Sequence, residues 1–240
     1  MSKKNLVVLS GSGISAESGI ATFRGGNGLW DNVPVEEICT PQGWIRNPAK
    51  VQGFYNKLRA QLGERFPNEA HKIVAELEKD YNVCVVTQNV DNLHERAGST
   101  RVVHLHGELT KVRPEDCYTE SDGFSTKYVQ DVGYRPVAMG ETGGPRGRQL
   151  RPHIVWFGEA VPNLETAARL VSVADILVIV GTSLQVYPAA SLYHYAPQGC
   201  PIYLIDPDSH LGSHIPGVTF INDVATAGMR KLKEVFLQNL

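Results

Sequence analysis

The chain has 240 residues, of which 42% are hydrophobic and 20% charged, and a formal net charge of −2. That length supports one sizeable core, and the near-neutral balance removes the electrostatic case for nucleic acid or an anionic membrane surface as a partner. Apolar runs such as "DILVIVGTSL" fall well short of the ~20 residues that span a bilayer.

In chain order, "NLVVLS" breaks at Ser10 and reads as a first strand, not a signal peptide, so a cytoplasmic protein is expected. The glycine-rich turn "GSGIS" follows. Residues 25–66 carry a loop and helices, among them "NPAKVQGFYNKLRAQL". In "NEAHKIVAELEKD" Ala70, Ile73, Val74 and Leu77 fall on one helical face, with Asn68 available as a cap. "NVCVVTQ", "RVVHL", "HIVWF", "DILVIVGT" and "PIYLIDP" are short and β-branched without strict alternation, the pattern of buried parallel strands. "NLETAARLVSVA" is a further helix, and Ala225, Met229, Leu232 and Phe236 mark the last one. Residues 108–151 are polar and rich in Gly and Pro, with no clear strand pattern. The alternation predicts an α/β fold, a parallel sheet with helices on both faces, plus a small lobe built from two insertions. The large lobe is expected over about 1–24, 67–107 and 152–240, and the small lobe over about 25–66 and 108–151. Cys39, Cys84, Cys117 and Cys200 form no C-x-x-C pair, so neither a disulfide framework nor a metal site is indicated.

Ligands of such sheets bind at the carboxyl ends of the strands, and polar residues gather there. "GSGIS" follows the first strand, "QNVD" the second and "HGE" the third, while "GTSL" and "DPD" follow two later ones. Gly11 and Gly13 admit a tight turn, or let phosphates approach backbone N–H groups at a helix N-terminus. Gly181, Thr182 and Ser183 offer a second such turn, and two of them suit a dinucleotide. Gln88, Asn89 and Asp91 offer helix capping or recognition of ribose hydroxyls and a carboxamide. His104 and His106 point the same way if both lie on a strand, so a metal pair is conceivable; His106, followed by Gly107, is the better candidate for chemistry, and His104 for packing.

Taken together, "GSGISAESGIATFR", "TQNVDNLHERAGS", "HLHGEL", "VWFGE" and "GTSLQVYPAA" resemble the sirtuins, NAD-dependent protein-lysine deacylases, of a bacterial type near the deacetylase/desuccinylase branch. The resemblance implies a Rossmann-like sheet and a phosphate turn at Gly11, Ser12, Gly13 and Ile14. It implies a cofactor loop with Thr22, Phe23 (shielding the reacting sugar) and Arg24, and places Glu17, Trp30, Val90 and Ala225 at the cofactor too. Gln88, Asn89 and Asp91 match positions near the ribose and nicotinamide. Gly181, Thr182, Ser183 and Asp206 match the adenosine half, where many relatives have Asn in place of Asp206. Asn89, Asp91 and His106 are the implied catalytic residues, His106 being the base that takes a proton from a ribose hydroxyl. The implied products are free lysine, nicotinamide and 2′-O-acyl-ADP-ribose. The acylated-lysine peptide would lie as a strand against Val155, Trp156, Phe157, Gly158 and Glu159. A monomer is expected.

Two departures from the family pattern matter. Sirtuins usually carry two C-x-x-C pairs holding a structural zinc, but here Pro114 stands where the first Cys would fall, only Cys117 remains, and the later pair is missing. One thiolate cannot build an S₄ site, so no zinc is expected. The desuccinylase branch places Tyr and Arg three apart on a helix to bind an acyl carboxylate. Tyr55 is present, but the matching position is Leu58, with Arg59 one residue on. One helical step turns a side chain by about 100°, so Arg59 is expected to point away, as a solvated surface residue, which favours acetyl or other uncharged acyl groups over succinyl or malonyl. A non-catalytic NAD- or ADP-ribose-sensing module, an ADP-ribosyltransferase and an NAD hydrolase are the alternatives.

Overall fold

The structure is a computed structural model that describes residues 2–22, 33–116, 118–119, 123–124, 126–211 and 215–238. In chain order its elements are β1 (Asn5–Ser10), α1 (Gly13–Ala16), α2 (Val35–Ile38), α3 (Pro41–Arg46), α4 (Pro48–Gly63), α5 (Glu69–Glu76), β2 (Asn82–Thr87), α6 (Leu93–Ala97), β3 (Val102–His104) and β4 (Gly107–Pro114). Then come β5 (Tyr118–Thr119), β6 (Gly123–Phe124), β7 (Gln130–Asp131), β8 (Thr142–Gly143), β9 (Arg148–Ile154), α7 (Leu164–Ser172), β10 (Ile176–Val180), β11 (Ile202–Asp206), β12 (Thr219–Asn222) and α8 (Ala225–Leu237). Among the described residues, no helix is long and apolar enough to cross a membrane.

Within the described residues the main sheet runs β12-β11-β10-β1-β2-β3, and its pairings are parallel. Its central strands are buried on both faces, β10 along its whole length, which is why they read as unbroken apolar runs. One face packs on α5 and α8 through Val74, Met229 and Leu232. The other packs on α7 and the 3-10 turn Ala189–Tyr195 through Val171, Ala189 and Leu192. Asn68 caps α5 by accepting from the Ala70 amide at 2.9 Å, and its own amide donates to the Ile14 carbonyl at 2.7 Å. The cap residue therefore also anchors the first glycine turn to α5.

Beside this sheet lie α2–α4 and an antiparallel sheet of order β7-β4-β9-β8. Two expectations change here. "HIVWF" was expected among the parallel strands, but its first residues end β9, antiparallel to β4. Residues 108–151, expected to lack strands, contain most of both β4 and β9. The physical reason is that Arg113 and Arg151 interrupt the apolar pattern, yet both are buried because Glu159 pairs with them. β12 also went unanticipated, being a short, half-exposed edge strand.

Several histidines are buried in this framework, and most are held neutral. Burial pushes His71 down to about 4 and, together with the positive charge of Arg113, His153 down to about 3. An unfolded histidine titrates near 6.5, so below that pH the unfolded chain binds more protons than the native one, and stability falls as pH drops from about 6.5 toward 4. Urea unfolding at pH 5 is expected to give a free energy about 2–4 kcal/mol below that at pH 7.5, with His104, whose pKa is shifted the other way, offsetting part of the loss. Equal free energies at the two pH values would contradict this assignment.

Candidate active site

The strand order reverses direction between β1 and β10, the switch point at which open α/β sheets bind ligands. There the two glycine turns meet. A Cβ on Gly13 would lie 2.6 Å from the Gly181 Cα, and one on Gly11 would lie 2.7 Å from the Gly181 carbonyl oxygen. Gly181 itself has φ +63°, and its Cβ would meet the Ile14 nitrogen at 2.3 Å. These glycines thus serve the close approach of two loops as well as any phosphate. Over them opens a cavity of about 770 Å³, on the scale of a small-molecule or cofactor site.

The strand ends supply its lining much as the sequence suggests. Gly11, Ser12, Gly13, Glu17 and Thr22 come from the β1 side, and Gln88, Asn89, Val90 and Asp91 from β2. His106 lies after β3, Gly181, Thr182 and Ser183 after β10, and Asp206 and Ala225 at β11 and α8. Ile14 is the exception: its side chain is fully buried in the core under the sheet and does not line the cavity. Phe23, Arg24 and Trp30 lie outside the described residues. The cavity has groups fit for a dinucleotide. Thr182, Ser183 and the half-buried carboxylate of Asp206 face one half, and amides, a carboxylate and an imidazole face the other.

Around β2 these groups are cross-tied. The Asn89 amide donates to the Gly11 carbonyl at 3.1 Å and to Ser15 Oγ at 3.2 Å, while Ser15 Oγ donates to Asp91 Oδ2 at 2.9 Å. Asp91 also accepts from the Leu93 amide at 3.0 Å, so the helix-capping reading holds for it in part. Burial pushes the Asp91 carboxyl up, and hydrogen bonds from Leu93 and Ser15 oppose that shift. The Gln88 amide donates to Thr182 Oγ1 at 2.9 Å, joining the loop after β2 to the second glycine turn. His106 Nδ1 lies 3.0 Å from the Gln88 carbonyl. A carbonyl can only accept, so Nδ1 carries the proton and Nε2 keeps its lone pair. Burial lowers the His106 pKa, and the bond to Gln88 partly restores it.

His104 and His106 do not share a strand, because β3 ends at His104. His104 is buried against Glu95 rather than open to a metal. Among the described residues, no cluster of three or more His, Cys, Asp and Glu side chains could hold a metal ion.

The other wall of the cavity is residues 155–159 with α4 behind it. Glu159 accepts from Arg151 Nη1 at 2.7 Å and Nη2 at 3.2 Å, and from the Trp156 amide at 2.8 Å. Arg151 stacks on the Trp156 ring with its Cζ 3.3 Å from the ring centroid. The Trp156 indole donates to Tyr55 OH at 3.0 Å, and Tyr55 OH donates to Cys39 Sγ at 3.6 Å. Tyr55, Leu58, Cys39, Leu62, Leu109 and Ile154 enclose an apolar chamber. Arg59 does point away from this cavity, but not to solvent. It is fully buried, donating from Nε to the Leu109 carbonyl at 2.8 Å and from Nη1 to Asn56 Oδ1 at 2.7 Å. The expected solvated surface arginine is a core residue that ties α4 to β4.

A profile described as the Sir2 family matches residues 11–188. The chain belongs to the Sir2 family. It is 54% identical over 239 residues to an NAD-dependent protein deacylase of Bacteroides thetaiotaomicron, covering 98% of both chains. It also superposes on a Sir2 homolog–NAD complex with TM-score 0.83 and 38% identity, covering 99% of this chain and 91% of that one. A Sir2 structure with a deacetylated p53 peptide and 3′-O-acetyl-ADP-ribose matches at TM-score 0.75 and 27% identity, covering 97% of this chain and 94% of that one.

The residues of this Sir2 chain do not fit the zinc site that the family resemblance brings to mind. Pro114 closes β4, paired with Leu150, and the adjacent Arg113 is spent on Glu159. Cys39 and Cys84 are buried elsewhere, and Cys117, the thiol nearest the expected site, lies outside the described residues. Sequence reasoning also missed Ser15, Cys39 and Arg65, which all line the cavity. Ser15 stood inside the "GSGIS" motif and was open to discovery as a hydroxyl two residues after Gly13. Cys39 and Arg65 carried no such signal, because only the packing of α2 and α4 brings them to the cavity.

Proposed function

We propose that this chain removes uncharged acyl groups, acetyl foremost, from protein lysines, with His106 as the base. NAD-dependent protein deacylation is the activity of the chain; the choice of acyl group and the residue roles are what is proposed. When bound, NAD supplies an anomeric carbon activated by departing nicotinamide. The peptide lies along residues 155–159, a turn that the Glu159 carboxylate holds through the Trp156 amide, and the acyl group enters the chamber. His106 takes a proton at Nε2, its Nδ1 being committed to Gln88. Ser15 orients both Asn89 and Asp91, which would face the sugar of bound NAD.

The observation that carries the acyl choice is the chamber wall. Leu58 stands where a carboxylate-binding Arg would be, the Tyr55 hydroxyl is occupied by Cys39 and Trp156, and Arg59 faces β4. Arg65, which also lines the cavity, lies against Gly19. Replacing Leu58 with Arg is expected to raise kcat/KM on a succinyl-lysine peptide, relative to acetyl-lysine, by about 10–100-fold, the worth of one charge-assisted hydrogen bond. An unchanged ratio in competition assays would contradict the chamber assignment.

A further inference from the structure

The H-L-H sequence sends two histidines to one loop. His106 Nδ1 lies 3.0 Å from the Gln88 carbonyl and His104 Nδ1 lies 2.9 Å from the carbonyl of the next residue, Asn89. Their second nitrogens differ. That of His106 belongs to a cavity-lining ring, whereas His104 Nε2 lies 2.8 Å from Glu95 Oε1. Both partners of His104 are pure acceptors, a backbone carbonyl and a carboxylate, so both ring nitrogens must donate, and the ring that does so is an imidazolium. The ring is buried, with a side chain 7% exposed, while Glu95 reaches toward solvent at 39%.

We propose that His104 is a positioning residue of the deacylase: a buried imidazolium that clamps the Asn89 carbonyl and so holds the loop that carries Asn89 and Asp91. This rests on the deacylase reading for its kinetic consequences. Asn89 and Asp91 both line the cavity, and His104 does not, so it acts through them. The two histidines thereby divide two tasks, one neutral and able to take a proton, the other charged and unable to leave its carbonyl; such paired groups driven apart by environment are a recurring way to assign roles.

The groups that face His104 support the charged form. Burial alone would strip its proton, but the Glu95 hydrogen bond and charge, the Asn89 carbonyl and Glu108 on β4 together outweigh burial. Glu108 is itself shared with Lys111 at 2.7 Å. Burial raises the Asp91 carboxyl, and the charge of His104 opposes that rise only after the hydrogen bonds from Leu93 and Ser15. The two nearby histidines, His94 on α6 and His153 on β9, are both driven toward the neutral form, and the charge of His104 contributes to this in each.

The test is ¹⁵N imidazole NMR of the full chain between pH 6 and 10, beside the pH profile of kcat on an acetyl-lysine peptide. The wild type is expected to show both His104 nitrogens protonated at pH 7.5 and only Nδ1 protonated on His106. Glu95→Gln keeps an acceptor oxygen on a half-exposed residue and removes the charge. It is expected to lower the pH at which His104 loses its second proton by about 1–2 units and to move the alkaline limb of kcat down by the same amount, with KM unmoved. His104→Gln, which keeps one donor, is expected to lower kcat and abolish that limb; if it does not fold, Glu95→Gln decides. A neutral His104 in the wild type at pH 7.5, or an alkaline limb that Glu95→Gln leaves in place, overturns the proposal. The NMR arm needs no turnover, so an inactive wild type would count against the deacylase reading and not against the charge on His104.

Discussion

Changing His106 to Asn is expected to lower kcat for deacylation by about 10²–10⁴-fold, the usual worth of a positioned general base, while NAD still binds. The geometry separates the two effects. His106 is held at Nδ1 by a backbone carbonyl, so its removal vacates a proton acceptor without dislodging the glycine turns or Asp206, which line the cofactor half. Because burial depresses its pKa, the active, unprotonated form persists to lower pH than for a free histidine. In the wild type kcat/KM should therefore fall only as pH drops through a value below 6.5, and stay flat from there to neutrality. A variant that retains near-normal turnover would remove His106 from the mechanism.

The second large effect is one of stability. Glu159 is almost fully buried, held by a forked pair with Arg151 and a longer contact from Arg113, and it also receives the Trp156 amide. Glu159→Ala leaves two buried guanidinium groups facing a space that no longer holds a counter-charge. Breaking a buried ion pair by removing one partner costs about 3–5 kcal/mol, a large share of a domain's stability. The loss should appear in chemical unfolding of the full chain. Since Glu159 also holds the Trp156 amide in the segment 155–159 proposed to receive the peptide, KM for peptide should rise in any fraction that remains folded. A loss within about 0.5 kcal/mol, the range of ordinary surface substitutions, would show that the pair does not hold the wall together.

Five of the six strands of the main sheet were legible because each is short, β-branched and followed by glycine or polar residues, as "DILVIVGTS" is, whereas the half-exposed edge strand β12 was not. The five strand ends could be named from sequence for the same reason. The antiparallel sheet was not legible, because Arg113 and Arg151 interrupt its apolar pattern and only their pairing with Glu159 lets the fold bury them; read locally, an arginine argues for a surface. Arg59 misled in the same way. Helical geometry correctly turned it from the cavity, but only the placement of the Leu109 carbonyl and Asn56 turns a surface arginine into a core one. His104 and His106 show a third limit. A two-residue spacing suggests a shared face, whereas the chain leaves β3 between them and both rings reach back to successive carbonyls of the β2 loop. What distinguishes the two rings is Glu95, which pairs with His104 from nine residues away, and no local pattern marks that partner.

The most direct measurement of the central claim is mass spectrometry of an acetyl-lysine peptide and a succinyl-lysine peptide incubated with the wild-type chain, with and without NAD. The predicted result is NAD-dependent loss of the acetyl group, one nicotinamide and one acyl-ADP-ribose formed per lysine freed, and much slower loss of succinyl. Nicotinamide released without acyl loss, or no turnover of either peptide despite NAD binding, would contradict it, the first pointing to NAD hydrolysis and the second to a sensing module.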